Sequence, residues 1–500
     1  MKRTLWVSFF LLMTILAHVK AGAVTYYIDY ELGADSNDGT PVSAPWKHHP
    51  FMAGWTGGSK YVHSPGDRFI FKGGVTWRAD AFPLTLDVGG EAGNQDYYGV
   101  DENWYGGDAW TRPIFDGEGR MGVLIAIGSG SHIVLDGIEG RDVLFDAAWG
   151  PGIISIGEGP RDIRISNCYL HKWTLLDSLT NDDAHGGVIV NTRNVPEGIV
   201  IDSCTISNAE YSSVKNNGVG VLNVRAVRNS TIHDVPTAIL FAGEVDGNHI
   251  YNINYPVPSF DSSYHTNVIY MAAQSSISGY QYVSNNVIHD IGAGTGIYME
   301  PCFGDTGKGY STQFVFNNIV YNSYNGGGGI ILADPEGGEG PCGEVYIYQN
   351  TLQTHDASQI GMVRTLENHA GINQIDVLVS RNNHYIGPSG EWDLALARRP
   401  SSRSNLLMSN ETAAASGYGV ANCFKPSTAT SETVDQGSPI ACGACRGVER
   451  AISGFKRGTG NGWDIGAHEW SDVVAADDSI PFEADARCRQ EGPCGEQGRE

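Results

Sequence analysis

Positive charge is scarce in this sequence: 32 Lys and Arg residues stand against 56 Asp and Glu, a formal net charge of −24. Nucleic acids and anionic membrane surfaces are recognised by clustered Lys and Arg, so neither is an expected partner. A polyanionic glycan is disfavoured as well, unless a metal ion or a local basic patch intervenes. Long apolar runs are also missing, and no stretch reaches the roughly 20 residues that a membrane-spanning helix requires. The run from Leu5 to Ala17, behind Lys2 and Arg3 and ahead of Ala21-Gly22-Ala23, reads instead as an export signal. Residues 1–23 are therefore expected to be removed and the protein to be secreted or periplasmic. Paired CxxC clusters are absent too: the nine cysteines are scattered, and Cys442-Gly-Ala-Cys445 stands alone. Structural zinc is thus disfavoured against scattered disulfides and buried thiols.

What is present is a repeat. Glycine is abundant, at 65 residues, and Asn and Ser recur in short phrases between apolar clusters. One phrase, apolar-polar-Asn-apolar, recurs with variations as Ile165-Ser166-Asn167-Cys168, Ile201-Asp202-Ser203-Cys204, Val283-Ser284-Asn285-Asn286, Phe316-Asn317-Asn318, Tyr348-Gln349-Asn350 and Ser380-Arg381-Asn382. Asn286, Asn318, Asn350 and Asn382 are spaced evenly along the chain. A second, apolar phrase runs in step, as in Val188-Ile189-Val190, Val268-Ile269-Tyr270, Ile297-Tyr298-Met299 and Ile330-Ile331-Leu332. Two or more strands per repeat, with no helical periodicity between them, predict an all-β coil of parallel strands. An Asn repeated on every coil forms an inward ladder that hydrogen-bonds the turns above and below it. The same register puts Cys168 and Cys204 one coil apart, as a disulfide or as stacked thiols, and lets Cys302 and Cys342 tie neighbouring coils. His171, His233 and His289 share one repeat position, and a residue repeated so evenly reads as a turn element.

The flanks carry a resemblance. Tyr26-Tyr27-Ile28-Asp29, Gly33 to Thr40, Pro45-Trp46, Gly66 to Gly74, Trp77-Arg78, Arg112 to Gly117 and the closing Asp464-Ile465-Gly466-Ala467-His468-Glu469 resemble bacterial secreted right-handed β-helix proteins of the pectate-lyase-like superfamily. The resemblance spans about Val24 to Trp470. It implies a single-stranded right-handed parallel β-helix, a solenoid with a cap at each end. On that division residues 24–120 form the cap and first coils, 121–400 the repeats, 401–471 the closing coil and cap, and 472–500 an acidic tail expected to be disordered. The scaffold carries lyases, hydrolases, epimerases and adhesive proteins, so it does not by itself select an activity. Asp35-Ser36-Asn37-Asp38-Gly39 lacks the later bidentate Glu of a calcium loop and reads as a cap loop.

A solenoid core is filled with side chains, so chemistry is expected outside, among polar residues that break the repeat. Asp182 and Asp183 precede one apolar phrase, Lys215 the next, and His265 a third. Strand exits offer Glu300, Asp334 and Arg364, with Glu336, Glu367 and His369 behind them. Stacked on successive coils, these residues line one groove the length of a short oligosaccharide. Elimination from a uronate needs a base, Lys215 or His265, and a cation, either Arg364 or a calcium ion held by Asp182 and Asp183. The resemblance implies a Lys or Arg base with calcium and favours this reading. Hydrolysis needs two carboxyl groups, Glu300 with Asp334 or Asp182 with Asp183. A non-enzymatic glycan binder or adhesin is the third reading, and it predicts an aromatic stripe without paired titrating groups. The expected protein is a monomer that takes a polysaccharide or oligosaccharide.

Overall fold

A computed structural model of the chain describes residues 22–470 apart from 146–151, 158, 176–186, 192–197, 209–218, 254–266, 273–278, 293, 302–310, 324–328, 334–341, 356–361, 367–374, 393, 441–443, 445–446 and 459–460. Every pairing between its named strands is parallel, in a 22-stranded and a 12-stranded sheet. The smallest unit that explains this is a column of β-branched residues. Ile125, Ile154, Ile189, Val221, Ile239, Ile269, Ile297, Ile330 and Val363 pair each with the next. All are at most 2% exposed. β-Branched side chains fit a pleated, close-packed wall, and each buried one contributes roughly 1.5–3 kcal/mol. Neither edge of such a strand can stay bare without orphaning backbone groups, so one coil templates the next.

Each turn of the coil lays down three strands, and three ladders result. The first includes Ile125–Ile127, Ile154–Ile156, Gly187–Asn191, Asn267–Ala272, Thr295–Glu300, Ile330–Ala333 and Val363–Leu366. The second includes Ile163–Ser166, Ile199–Asp202, Gly279–Ser284, Ser311–Phe316, Cys342–Tyr348 and Ile375–Arg381, and the third runs from Thr76–Trp77 to Leu406–Met408. Val219–Arg228 and Thr237–Asp246 belong to both the first and second ladders. They bend at Asn223 and Phe241, which have φ of 58° and 59°. The fold is a right-handed parallel β-helix, as the repeat and the flanks imply.

The corner between the second and third ladders separates two roles that the sequence phrases merge. Asn167, Ser203, Asn229, Asn285, Asn317, Gln349, Asn382 and Ser404 all have positive φ, from 49° to 58°. They turn the chain through the left-handed region, where short polar residues are tolerated best. The inward ladder is the residue that follows such a turn: Ser230, Asn248 after Gly247 at φ 67°, Asn286, Asn318, Asn350, Asn383 and Asn405. Asn382 therefore does not continue the evenly spaced ladder. It is a turn residue, and Asn383 takes the ladder place. Cys168 and Cys204 occupy the same place earlier in the chain, and both are free and buried. Burial pushes the Cys204 thiol well above its ordinary value. Peptide mapping after brief exposure to a thiol reagent is expected to find both unlabelled in native protein and labelled in urea. Fast native labelling would contradict their stacking in the core.

His171, His233 and His289 are not turn elements. They lie inside strands of the third ladder, in register with Ser207, Tyr251 and Tyr321. The rings of His233 and His289 join an outer stack, His233 on Tyr251 at 4.7 Å, Tyr251 on His289 at 5.3 Å and His289 on Tyr321 at 4.7 Å, whereas His171 stacks on Tyr169 of its own strand at 4.1 Å. The even repetition reflects ring on ring, one coil after another.

The ends close as the flanking motifs suggest. Asp35 accepts from the His48 and Thr56 backbone N–H groups and from the Thr56 hydroxyl, all within 2.9 Å, so it fastens the first cap. At the other end Arg457, 3% exposed, donates to Asn317 Oδ1, to the carbonyls of Gly466, Ala467 and His468, and to Glu469. Burial pushes the Asp464 carboxyl up to about 6, against the N–H groups of Asp435 and Trp470 that donate to it. Between 3.8 and about 6 the folded chain holds this proton more tightly than the unfolded chain. The contribution to stability is full below that window and is lost as pH rises through it. In urea, followed by tryptophan fluorescence, the closing segment is expected to have a higher midpoint at pH 5 than at pH 7. Asp464→Asn should shrink the difference, and an unchanged difference would refute the assignment.

Candidate functional site

The outer face of the first ladder is built from residues that alternate with the buried Ile column. In register they are Leu222, Leu240, Tyr270, Tyr298, Ile331 and Arg364. Val219, Leu222 and Leu240 are buried and pack with Phe241 and Tyr270 into an apolar patch separate from the core. Toward the later coils the face turns polar. The Tyr270 hydroxyl donates to Glu300 Oε2 at 2.6 Å, and the Tyr270 and Tyr298 rings meet edge to face at 4.9 Å. Glu300 is the last residue of its strand and pairs with Ala272, so its carboxylate reaches back one coil. Burial, then the Glu300 charge, pushes the Tyr270 phenol far above its ordinary value. Tyr270 is therefore a proton donor here and not a base.

Arg364 is half-buried on the same row, one coil beyond Ile331. Burial pulls its guanidinium below the ordinary value, and nearby Tyr298 partly offsets the pull. Its position departs from the expected strand exit: it lies inside Val363–Leu366. A side chain on the pleat is held at both flanks, so its direction is fixed more firmly than on a loop. Coils are about 4.8 Å apart, which sets Arg364 roughly 10 Å along the face from Tyr298 at the backbone.

Of the residues expected to carry chemistry, Glu300 and Arg364 share this face. Asp182, Asp183, Lys215, His265 and Asp334 lie outside the described residues, as do Glu336, Glu367, His369 and Cys302. In the chain, Lys215 and His265 precede the first-ladder strands that begin at Val219 and Asn267, and Asp334 directly follows Ile330–Ala333. Among the described residues no group of three or more His, Cys, Asp or Glu is arranged to hold a metal ion. No described helix is long and apolar enough to cross a membrane.

Tyr270 and Tyr298 were not legible as site residues. Aligning Val268-Ile269-Tyr270 with Ile297-Tyr298-Met299 by position offsets the strands by one, and the true pairing of Ile269 with Ile297 puts the two tyrosines on one row. The signal was the register, because one residue of slip moves a side chain to the other face.

No protein-family profile matches the sequence, and no curated protein does. Among solved structures the chain is similar to the GH136 lacto-N-biosidase from Eubacterium ramulus, at 10% identity over 77% of this chain and 67% of that one, with a TM-score of 0.48. It is also similar to pectate lyase Pel9A, at 12% identity over 90% and 97% of the two chains and a TM-score of 0.41. A rhamnogalacturonan lyase matches at 14% identity over 77% and 87%, with a TM-score of 0.42.

Proposed function

We propose that the chain is an exported polysaccharide lyase that cleaves a uronate-containing glycan by β-elimination on the outer face of the first ladder. The observation that carries this reading is the composition of that face: one guanidinium, Arg364, beside two tyrosines, with a single described carboxylate, Glu300, already bonded to Tyr270. Elimination asks for a cation against the uronate carboxylate, a base for the proton α to it, and a donor to the leaving oxygen. Arg364 meets the first need and Tyr298 the last, the Tyr270 proton being held by Glu300. Lys215 or His265 supplies the base in this reading, each a few residues before a first-ladder strand in the chain. A half-buried arginine is also the local positive site that a uronate needs on so acidic a chain. A calcium ion, for which Asp182 and Asp183 would be the ligands, would be the second source of positive charge.

Hydrolysis is the alternative, favoured by one relation: Met299 pairs with Leu332 of the strand Ile330–Ala333, which Asp334 directly follows in the chain. A polysaccharide panel read for both unsaturated uronate absorbance and reducing ends separates the two. The lyase reading expects absorbance and reducing ends to rise together on a uronate polymer. Reducing ends without absorbance would overturn it in favour of the hydrolase, and silence in both would favour a binder.

A further inference from the structure

The outer face of the second ladder holds a groove of about 440 Å³, distinct from the face with Glu300 and Arg364. Its walls are Arg225, Arg228, Glu244, Asp246, Tyr280 and Tyr282. Behind it, an aromatic column climbs the coils, with Tyr282 stacked on Phe314 at 5.4 Å and Phe314 on Tyr346 at 5.2 Å, both within 14° of parallel. Most of that column is covered by the closing segment: Ile440 and Val448 pack on it, and the Tyr282 hydroxyl donates to the Ala444 carbonyl at 2.9 Å. Tyr280, the next aromatic outward, is left 51% exposed at the groove.

The charges of the groove are arranged for a neutral guest. Arg228 donates twice to Glu244, Nε to Oε1 and Nη2 to Oε2, each at 2.8 Å, and this pair is self-satisfied. Asp246 accepts from Ser284 Oγ at 2.6 Å and Asn285 Nδ2 at 2.7 Å, both on Oδ1, so Oδ2 keeps acceptor capacity. Arg225 is exposed and makes no hydrogen bond or ion pair among the described residues. Its place is prepared by a glycine on the next coil. A Cβ added at Gly243 would stand 2.2 Å from Arg225 Nη1, so the bare backbone is what lets the guanidinium lie across the strand. Glycine inside a strand weakens it, and such a position marks close approach. One free fork of donors, one free acceptor of opposite charge and one exposed ring face, with no net charge between them, match the vicinal hydroxyls and C–H face of a sugar.

We propose that this groove is a second carbohydrate site, which binds an uncharged sugar ring of the polymer and holds the chain while the first ladder acts. The identity of the guest as a sugar rests on the glycan reading above, and the groove itself does not. Binding is measured with full-length protein on insoluble cellulose, mannan and chitin, with soluble oligosaccharides of each as competitors, and cleavage is assayed separately on uronate polymers. Wild type and Arg364→Ala are expected to bind at least one neutral polymer equally well at low and high salt. Tyr280→Ala and Arg225→Ala are expected to weaken that binding at least tenfold while leaving cleavage of short soluble substrate unchanged. Competition by free oligosaccharide indicates a ring recognised without the polymer; its absence, with binding retained, indicates a polymer chain, and either supports the site. Unchanged binding by both variants would overturn the proposal, as would no binding to any neutral polymer, or binding only to uronate polymers that salt abolishes. Neutral-polymer binding by wild type without cleavage of any uronate polymer would sink the lyase reading alone.

Discussion

Replacing Arg364 by alanine should lower kcat/KM on a uronate polymer by about 10²–10³-fold, the cost of removing one preorganised charge from an eliminating site. The side chain sits within a strand and not on a loop, so little else moves with it. Most of the loss should appear in kcat, because the negative charge that Arg364 meets is greatest after the proton α to the carboxylate has left. Arg364→Lys keeps the charge but loses the planar fork, and an intermediate rate is expected. Tyr270→Phe isolates a different contribution. Glu300 loses its 2.6 Å donor while the ring contacts with Phe241 and Tyr298 persist. If Tyr270 only orients Glu300, this variant should lose less than Glu300→Gln. Far-UV circular dichroism identical to wild type is the control. Activity within twofold of wild type for Arg364→Ala would remove the residue from the reaction and with it the main support for the lyase reading. A loss confined to KM would instead make Arg364 a substrate anchor.

How much of this was legible follows from periodicity. The solenoid is written into the sequence because each coil repeats the same demands: an aliphatic residue at the wall, as at Ile269 and Ile297, and a turn followed by an amide. Arg364 was legible as a candidate too, although the sequence put it at a strand exit and it lies within Val363–Leu366. What the sequence hid are properties of register. Asn167 and Asn318 look alike in their phrases, yet one turns the backbone at φ 53° and the other lies a residue later, fully buried. The histidines misled for the same reason, since even spacing describes an outer ring stack as well as it describes a turn. The second-ladder groove was out of reach, because Arg225, Asp246 and Tyr280 are brought together only by the pairing of three coils.

The two asparagine roles give the largest expected stability difference between residues that look alike in sequence. Asn318 makes five side-chain hydrogen bonds: its amide donates to the Val283 and Phe316 carbonyls and to Asn350 Oδ1, and its Oδ1 accepts from the Asn286 backbone and side chain. Truncation to alanine strands the Asn286 N–H in a dry corner and leaves a small void, at a cost of about 3 kcal/mol. Asn318→Asp should be no better although its shape is preserved, because the oxygen that replaces Nδ2 would carry buried charge against the acceptors at Val283, Phe316 and Asn350. Asn318→Gly should be as damaging as alanine, since no unusual backbone angle is relieved. Asn167 reverses the order. It is exposed, bonds Asp136 Oδ1 at 2.8 Å and sits at φ 53°. Alanine there should cost roughly 1 kcal/mol through left-handed strain, whereas glycine should be tolerated within about 0.5 kcal/mol because it accepts that region freely. Urea midpoints by circular dichroism test the pattern. Each coil is stabilised by its neighbours, so a break at Asn318 should lower the transition of the flanking coils together. Equal responses to glycine at 167 and 318 would mean that turn and ladder are not separate rows, and the register drawn here would fall.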